Sequence, residues 1–130
     1  MKKTILIVDD EKYIREIYKR IVASSCESVF RLLEAASALD ATEYIINENI
    51  DLIVLDIRMP SVNGQQLYEV IRKYNPSIKV IVTSVYPIDQ QKRLIPFADG
   101  YYDKSEGPMS LLEKVVSSFS QDEDNPVNLN

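Results

Sequence analysis

The sequence predicts an α/β domain built on a doubly wound, five-stranded parallel sheet. Three observations lead there. Short apolar runs rich in β-branched residues recur along the chain, helical stripes alternate with them, and the central runs are apolar at every position. A strand that is apolar throughout is buried on both faces, which requires helices on both sides of a parallel sheet.

Thr4–Val8 is the first such strand, and Ile14, Ile17, Tyr18 and Ile21 then follow the i, i+3, i+4, i+7 spacing of an amphipathic helix. Val29–Leu33 is a second, shorter strand. Ser37 and Asp40 form a helix N-cap pair ahead of a modest stripe of Ala38, Ala41 and Ile45. Leu52–Leu55 is the third strand. Met59 to Gly64 is a loop, with Pro60 and Asn63-Gly64 as its turn chemistry. Leu67, Val70, Ile71 and Tyr74 repeat the helical stripe, which Asn75-Pro76 ends. Val80–Val82 is strand four, and Ile88 to Ile95 is a weaker helix bounded by Pro87 and Pro96. Gly100–Tyr102 is a short fifth strand at the edge. Pro108 opens the last helix, whose buried face is Leu112, Val115, Val116 and Phe119. Periodicity then fades, so residues 1–120 read as one domain and 121–130 as a flexible acidic tail or the start of a linker.

At 130 residues the chain holds one core, and its 45% hydrophobic and 27% charged content is that of a soluble globular domain. A net charge of −5 argues against a nucleic-acid footprint. No apolar run is long enough to cross a bilayer, and no secretory leader is evident, so the expected compartment is the cytoplasm. Cys26 is the single cysteine and reads as a quiet thiol at a helix end. There is no histidine, which removes His-ligated metals and imidazole acid–base chemistry from this chain. Tyr13, Tyr18, Tyr44 and Tyr68 read as helix-face packing, and Lys92 and Arg93 as a solvated face.

Right-handed crossovers between parallel strands make the strand order 2-1-3-4-5, the flavodoxin-like winding, the economical one. Strands one and three are then neighbours, and ligands bind in such sheets outside the carboxyl ends at the point where the order reverses. Asp9 and Asp10 follow the first strand and Asp56 the third. Three carboxylates about 4–5 Å apart repel by roughly 3–4 kcal/mol per pair at an effective dielectric near 20. They raise one another's pKa or hold a cation, and a hard divalent ion prefers this oxygen set. A carboxylate is also a nucleophile toward phosphorus once charge on the transferring group is neutralised. Asp56 stands alone and is the better nucleophile, while Asp9 and Asp10 make a metal pocket. Thr83, with Ser84 beside it, ends strand four and offers a hydroxyl; Lys104 follows strand five and offers an ammonium.

These segments together resemble the receiver domain of two-component response regulators, from Lys3 to about Phe119. The residues that carry the resemblance are Ile-Leu-Ile-Val-Asp9-Asp10-Glu11, Asp56-Ile-Arg-Met-Pro60 with Gly64 and Leu67, Val-Ile-Val-Thr83-Ser84, and Ala98-Asp99-Gly100-Tyr101-Tyr102-Asp103-Lys104. The resemblance implies that Asp56 is the phosphoacceptor for a phosphohistidine on a sensor kinase or phosphotransfer protein. It implies Mg²⁺ (or Mn²⁺) held by Asp10 directly, by Asp9 largely through water, by Asp56 and by the backbone carbonyl of Arg58. Thr83 and Lys104 are then the contacts to phosphoryl oxygens, and Tyr101 is the aromatic switch that turns inward with Thr83. The face formed by the fourth helix, fifth strand and fifth helix is the implied signalling surface. It would meet a downstream effector, or an output domain beyond this chain, by a monomer that dimerises, if at all, on activation.

The chain leaves the family pattern at two places. Ser105 follows Lys104 where proline is usual, often with a cis bond; a cis bond without proline costs about 2.5–4 kcal/mol, so a trans bond or an altered loop is expected. Pro96-Phe97 stands where small residues are common, which predicts an early stop to the fourth helix and a reshaped signalling face. Arg58 and Val85 flank the site at positions that tune dephosphorylation in the family. Two alternatives compete with a phosphoacceptor. One is a small phosphohydrolase of the haloacid-dehalogenase type using Asp9, which wants Asp where Glu11 stands. The other is a degenerate receiver acting as a phosphorylation-independent scaffold. Only three glycines are present, with neither a P-loop nor Gly-x-Gly-x-x-Gly.

Overall fold

The computed structural model describes the backbone of residues 2–26, 30–59 and 62–127, and the side chains of these except residues 25, 26, 62 and 121–127. Strands β1 (Lys3–Val8), β2 (Phe30–Ala35), β3 (Leu52–Asp56), β4 (Lys79–Ser84) and β5 (Gly100–Asp103) form one sheet. All its neighbours are parallel and the order is β2-β1-β3-β4-β5, the flavodoxin-like winding. Helices α1 (Lys12–Cys26), α2 (Ala38–Asn47), α3 (Gly64–Tyr74), α4 (Ile88–Leu94) and α5 (Pro108–Val127) connect and cover it.

Alternate residues of the central strands feed two cores. Ile5, Ile7, Val54 and Ile81 pack with Tyr18 and Val22 of α1 and with Leu111, Leu112, Val115 and Phe119 of α5. Leu6, Val8, Ile53, Leu55, Val80 and Val82 pack on the other face with Ala41 and Ile45 of α2, Leu67 and Ile71 of α3, and Ile95. Each strand therefore needs an apolar residue at every position, which is why its sequence lacks alternation.

Local chemistry explains the element ends. Ser37 caps α2 by accepting from the Asp40 N–H at 3.1 Å. Asn63 caps α3, accepting from the backbone of Gln65 at 2.9 Å and Gln66 at 3.4 Å, and Asn75 closes it. The segment expected to be a plain loop from Met59 instead opens with a short antiparallel ribbon, Arg58–Met59 against Val62–Asn63. The ribbon positions Asn63 as the cap. Pro87 stands at the start of α4, and Ile95 follows its last residue, in keeping with the stop expected from Pro96.

Several expectations need correction. β2 runs on to Ala35, because Glu34 and Ala35 pair with Ile7 and Val8. Val70 and Tyr74 are more than half exposed and the buried face of α3 is Gly64, Leu67 and Ile71, since the helix lies on the sheet by a narrower stripe. Val116 is exposed, and Leu111 joins Leu112, Val115 and Phe119 on the buried face of α5. Tyr13 points to solvent, while Tyr18 is buried and Tyr44 and Tyr68 are half-buried as expected. The backbone of α5 itself runs through Val127. Val29, Pro60 and residues 128–130 lie outside the described residues.

A polar seam joins α3 to the loop after α4. Gln65 donates to the carbonyl of Leu94 at 2.9 Å, the Tyr68 hydroxyl to that of Phe97 at 3.0 Å, and Arg72 to the Asp99 carboxylate at 2.6 Å. Asp99 also accepts from the Val80 N–H at 2.8 Å. From the other side the Tyr101 hydroxyl donates to the Ile95 carbonyl and accepts from the Ala98 N–H. These bonds satisfy the free carbonyls at the end of α4 that a short helix leaves behind.

Candidate functional site

Parallel pairing brings the ends of β1, β3, β4 and β5 to one edge. Val8 pairs with Leu55, and Asp56 pairs with Thr83 across β3 and β4. Asp9, Asp10 and Asp56 offer carboxylate oxygens within 4.8 Å of one another. Asp9 and Asp56 are buried, at 1% and 2% exposure, and Asp10 faces solvent. A cleft of about 580 Å³ opens over Asp56, lined also by Glu11, Arg58, Met59, Val85 and Lys104 among others. A larger cavity, about 680 Å³, opens at the opposite, amino-terminal edge of the sheet and contains none of these acids.

Lys104 lies across the acids. Its Nζ is 2.9 Å from Asp9 Oδ2, 3.3 Å from Asp56 Oδ2 and 3.9 Å from a Glu11 carboxylate oxygen. The bond after Lys104 is resolved without a cis peptide: there is none among the described residues. The chain turns instead through a 3₁₀ turn, Lys104–Glu106, which Asp103 caps by accepting from Ser105 N at 2.9 Å and Ser105 Oγ at 2.8 Å. Ser105 thus supplies two donors where a proline could supply none.

Electrostatics follow from this crowding. Burial pushes the Asp56 carboxyl up from 3.8 to about 6, against the Arg58 backbone N–H and the Lys104 charge, with Asp9 adding to the rise. Burial would lower Lys104, but its hydrogen bond to Asp9 and the charges of Asp56 and Asp9 outweigh that and raise it. Backbone N–H groups aim the two buried acids: Glu11 N donates to Asp9 Oδ1 and Arg58 N to Asp56 Oδ1, both at 2.9 Å. Each of these bonds leaves the second oxygen to Lys104. The Arg58 guanidinium lies 5.2 Å from the centre of the Tyr86 ring.

Thr83 is 1% exposed and its Oγ1 has no hydrogen-bond partner among the described residues, an arrangement that costs about 1–3 kcal/mol in mutational comparisons. The hydroxyl sits on the strand position paired with Asp56 and fits a ligand bearing acceptor oxygens. The oxygen-only acid cluster fits a hard divalent cation. All the residues expected at the site converge except Tyr101, whose hydroxyl is engaged at the end of α4 and whose ring is half-buried there. Lys92, on the exposed face of α4, has its Nζ 5.7 Å from the centre of that ring.

Sequence reasoning missed two buried polar residues beside the site. Gln91 is fully buried, donating to the carbonyls of Tyr86 at 2.8 Å and Tyr102 at 3.0 Å. Arg15 is 9% exposed and donates to the backbone carbonyl of Asp9 at 2.7 Å. A signal for Arg15 was present: Arg15, Tyr18 and Val22 stand at i, i+3 and i+7, and all three are buried.

A five-stranded parallel sheet with acids, hydroxyl and ammonium gathered at its switch point defines a signalling receiver. The chain belongs to the response regulator receiver domain family, whose profile matches residues 5–116. It is 33% identical over 113 residues to the transcriptional regulatory protein YvrH of Bacillus subtilis, covering 86% of this chain and 47% of that protein. Among solved structures it superposes on a CheY-like receiver domain protein from Methanospirillum hungatei with a TM-score of 0.85 and 30% identity, over 97% of this chain and all of that one. It superposes on TrrA of Thermotoga maritima, solved in complex with Mg²⁺-BeF, with a TM-score of 0.76 and 33% identity, over 89% of this chain and 98% of that one. The chain spans about half the length of the first curated relatives it matches. No helix among the described residues is long and apolar enough to cross a membrane.

Proposed function

We propose that Asp56 accepts a phosphoryl group from a phosphohistidine on a sensor kinase or phosphotransfer protein, in a reaction that requires Mg²⁺ or Mn²⁺. The observation that carries this reading is the Asp56–Thr83 pair: a buried carboxylate beside a buried hydroxyl with no partner, under one ammonium. Asp10, Asp9, Asp56 and the Arg58 carbonyl would hold the cation, which neutralises charge on the transferring group. An oxygen of Asp56 attacks phosphorus; the new O–P bond forms as the N–P bond breaks, and the electron pair stays on the imidazole nitrogen of the donor. Lys104 shifts from bridging Asp9 and Asp56 to donating to a phosphoryl oxygen. Thr83 donates its hydroxyl to another. Ionised Asp56 is the competent form, and a cation bound beside it favours that form over the protonated one.

The added group brings nearly two negative charges into the acid cluster. A move of Thr83 toward it would be passed to the adjoining strand β5, where Tyr101 is bonded to the Ile95 carbonyl just after α4. The surface built by α4, β5 and α5, with Phe97, Lys92 and Arg93 exposed on or beside it, would signal to an effector or to an output domain beyond this chain. We read the domain as extending to about residue 120, as a protein of the cytoplasm that is monomeric before activation.

Intact mass after incubation with acetyl phosphate and Mg²⁺ tests the reading. One added phosphoryl group is expected, abolished by chelation and by Asp56→Asn. An adduct that survives Asp56→Asn but is lost in Asp9→Asn would identify the hydrolase alternative. No adduct at any Mg²⁺ concentration would leave a phosphorylation-independent scaffold.

A further inference from the structure

Arg15 is a buried cation that phosphoryl transfer, as described above, does not use. We propose that Arg15, braced by Glu34, is a positioning residue for the cation-binding pair Asp9 and Asp10; this rests on the cation site of the proposed function.

The geometry supports a role in aiming the backbone. The β1–β2 ladder ends where Asp9 N donates to the Ala35 carbonyl at 3.1 Å. One atom group further on, the carbonyl of Asp9 accepts from Arg15 Nη1 at 2.7 Å in a buried setting. That carbonyl belongs to the peptide joining Asp9 to Asp10. A peptide group is planar, so fixing its oxygen fixes the nitrogen and Cα of Asp10 and the origin of its carboxylate. Asp10 is exposed, and packing does little to aim it. The backbone must do so.

The brace is itself held. Arg15 Nε donates to Glu34 Oε1 at 2.7 Å, and Lys19 Nζ reaches Glu34 Oε2 at 2.6 Å. A buried guanidinium is tolerable only when its charge is paired, and Glu34 on β2 supplies the pairing. Glu34 lies two strands from Asp56, so the acid pair is tied to the sheet on the side away from Lys104. Outer residues that orient metal ligands typically cost 10–100-fold in metal affinity when removed.

Plain electrostatics makes the opposite forecast. Arg15, Lys19 and Glu34 together carry one positive charge, which disfavours a nearby cation, so deleting Arg15 by charge alone would tighten binding. The direction of the change therefore separates aiming from charge.

The test is titration of the full chain with Mn²⁺, reading the free ion by electron paramagnetic resonance, with folding checked by circular dichroism. Arg15→Met should weaken Mn²⁺ at least tenfold, and Glu34→Gln at least threefold. The Mg²⁺ needed for half-maximal phosphorylation by acetyl phosphate should rise in parallel, with the plateau rate changing far less. Unchanged or tighter Mn²⁺ binding in folded Arg15→Met overturns the proposal. If that variant does not fold, Arg15→Lys decides: it keeps the charge but cannot present the planar fork that reaches Glu34 and the Asp9 carbonyl together, and unchanged affinity there overturns the proposal as well. Wild-type protein that binds Mn²⁺ equally to the variants sinks the role of Arg15 alone. Wild-type protein that binds no Mn²⁺ removes the cation site and this role together.

Discussion

Lys104 Nζ donates to Asp9 Oδ2 at 2.9 Å although the two residues are 95 positions apart. The same ammonium is 3.3 Å from Asp56, so one cation offsets two carboxylates that are almost wholly buried. Offset is incomplete, because burial still holds the Asp56 carboxyl at about 6.

That residual cost gives the first prediction. The folded value of about 6 lies above the ordinary 3.8, so the native state binds this proton more tightly than the unfolded chain does. The group favours folding below about pH 4, and its contribution is lost as pH rises through 6. Asp56→Asn, which carries no charge, should then be more stable than wild type by about 2 kcal/mol at neutral pH in metal-free buffer. Urea unfolding of both proteins from pH 4 to pH 8 checks this. A stability difference that does not grow between pH 4 and pH 7 contradicts it.

Thr83→Val replaces a buried hydroxyl that has no partner by a methyl group of nearly the same size. Stability should rise by about 1 kcal/mol, while phosphoryl uptake from acetyl phosphate slows by an order of magnitude or more. Thermal melting and intact-mass time courses measure the two effects, and a loss of stability would mean that the hydroxyl has a partner in solution.

Gly64→Ala should be among the most damaging single changes. A Cβ there would stand 2.5 Å from Ile57 Cα and 2.9 Å from its carbonyl oxygen, both backbone atoms next to Asp56. Relief requires α3 or the segment after β3 to shift, at a cost of about 3 kcal/mol. Chemical denaturation is the direct measure; a variant within 0.5 kcal/mol of wild type, roughly the range for neutral surface changes, would show that the close approach relaxes freely.

Arg72→Met removes the guanidinium that joins Asp99, the Tyr68 hydroxyl and the Ile78 carbonyl. Since one of these is an ion pair only partly shielded from water, a loss of about 1–2 kcal/mol is expected. Amide exchange should quicken in residues 95–99 and leave β1 and β3 unchanged. Uniform quickening across the sheet would argue that Arg72 supports global stability and has no particular hold on this loop.

The acids, the hydroxyl and the ammonium were legible because each directly follows or ends an apolar run, and strand ends in a parallel sheet share one edge. Strand order followed from crossover handedness and was correct. Helix faces were less legible. Val70, Tyr74 and Val116 satisfy helical spacing, yet they lie at the margins of stripes whose centres are set by how each helix rests on the sheet. Gln91 was not legible, because its burial depends on carbonyls supplied by other elements, and Arg15 carried only the helical spacing it shares with Tyr18 and Val22.

The sequence by itself determined the winding of the sheet and the residue types delivered to its carboxyl edge, since both depend on periodicity and chain order. Tertiary structure alone decided how those residues divide their bonds. Lys104 bridges Asp9 and Asp56, Thr83 keeps a hydroxyl unpaired, Ser105 turns the chain without a cis bond, and Arg15 reaches the Asp9 carbonyl. The physical reason is range: hydrophobic patterning repeats within a few residues, while a hydrogen bond or a pKa depends on atoms brought within about 3–4 Å by the whole fold.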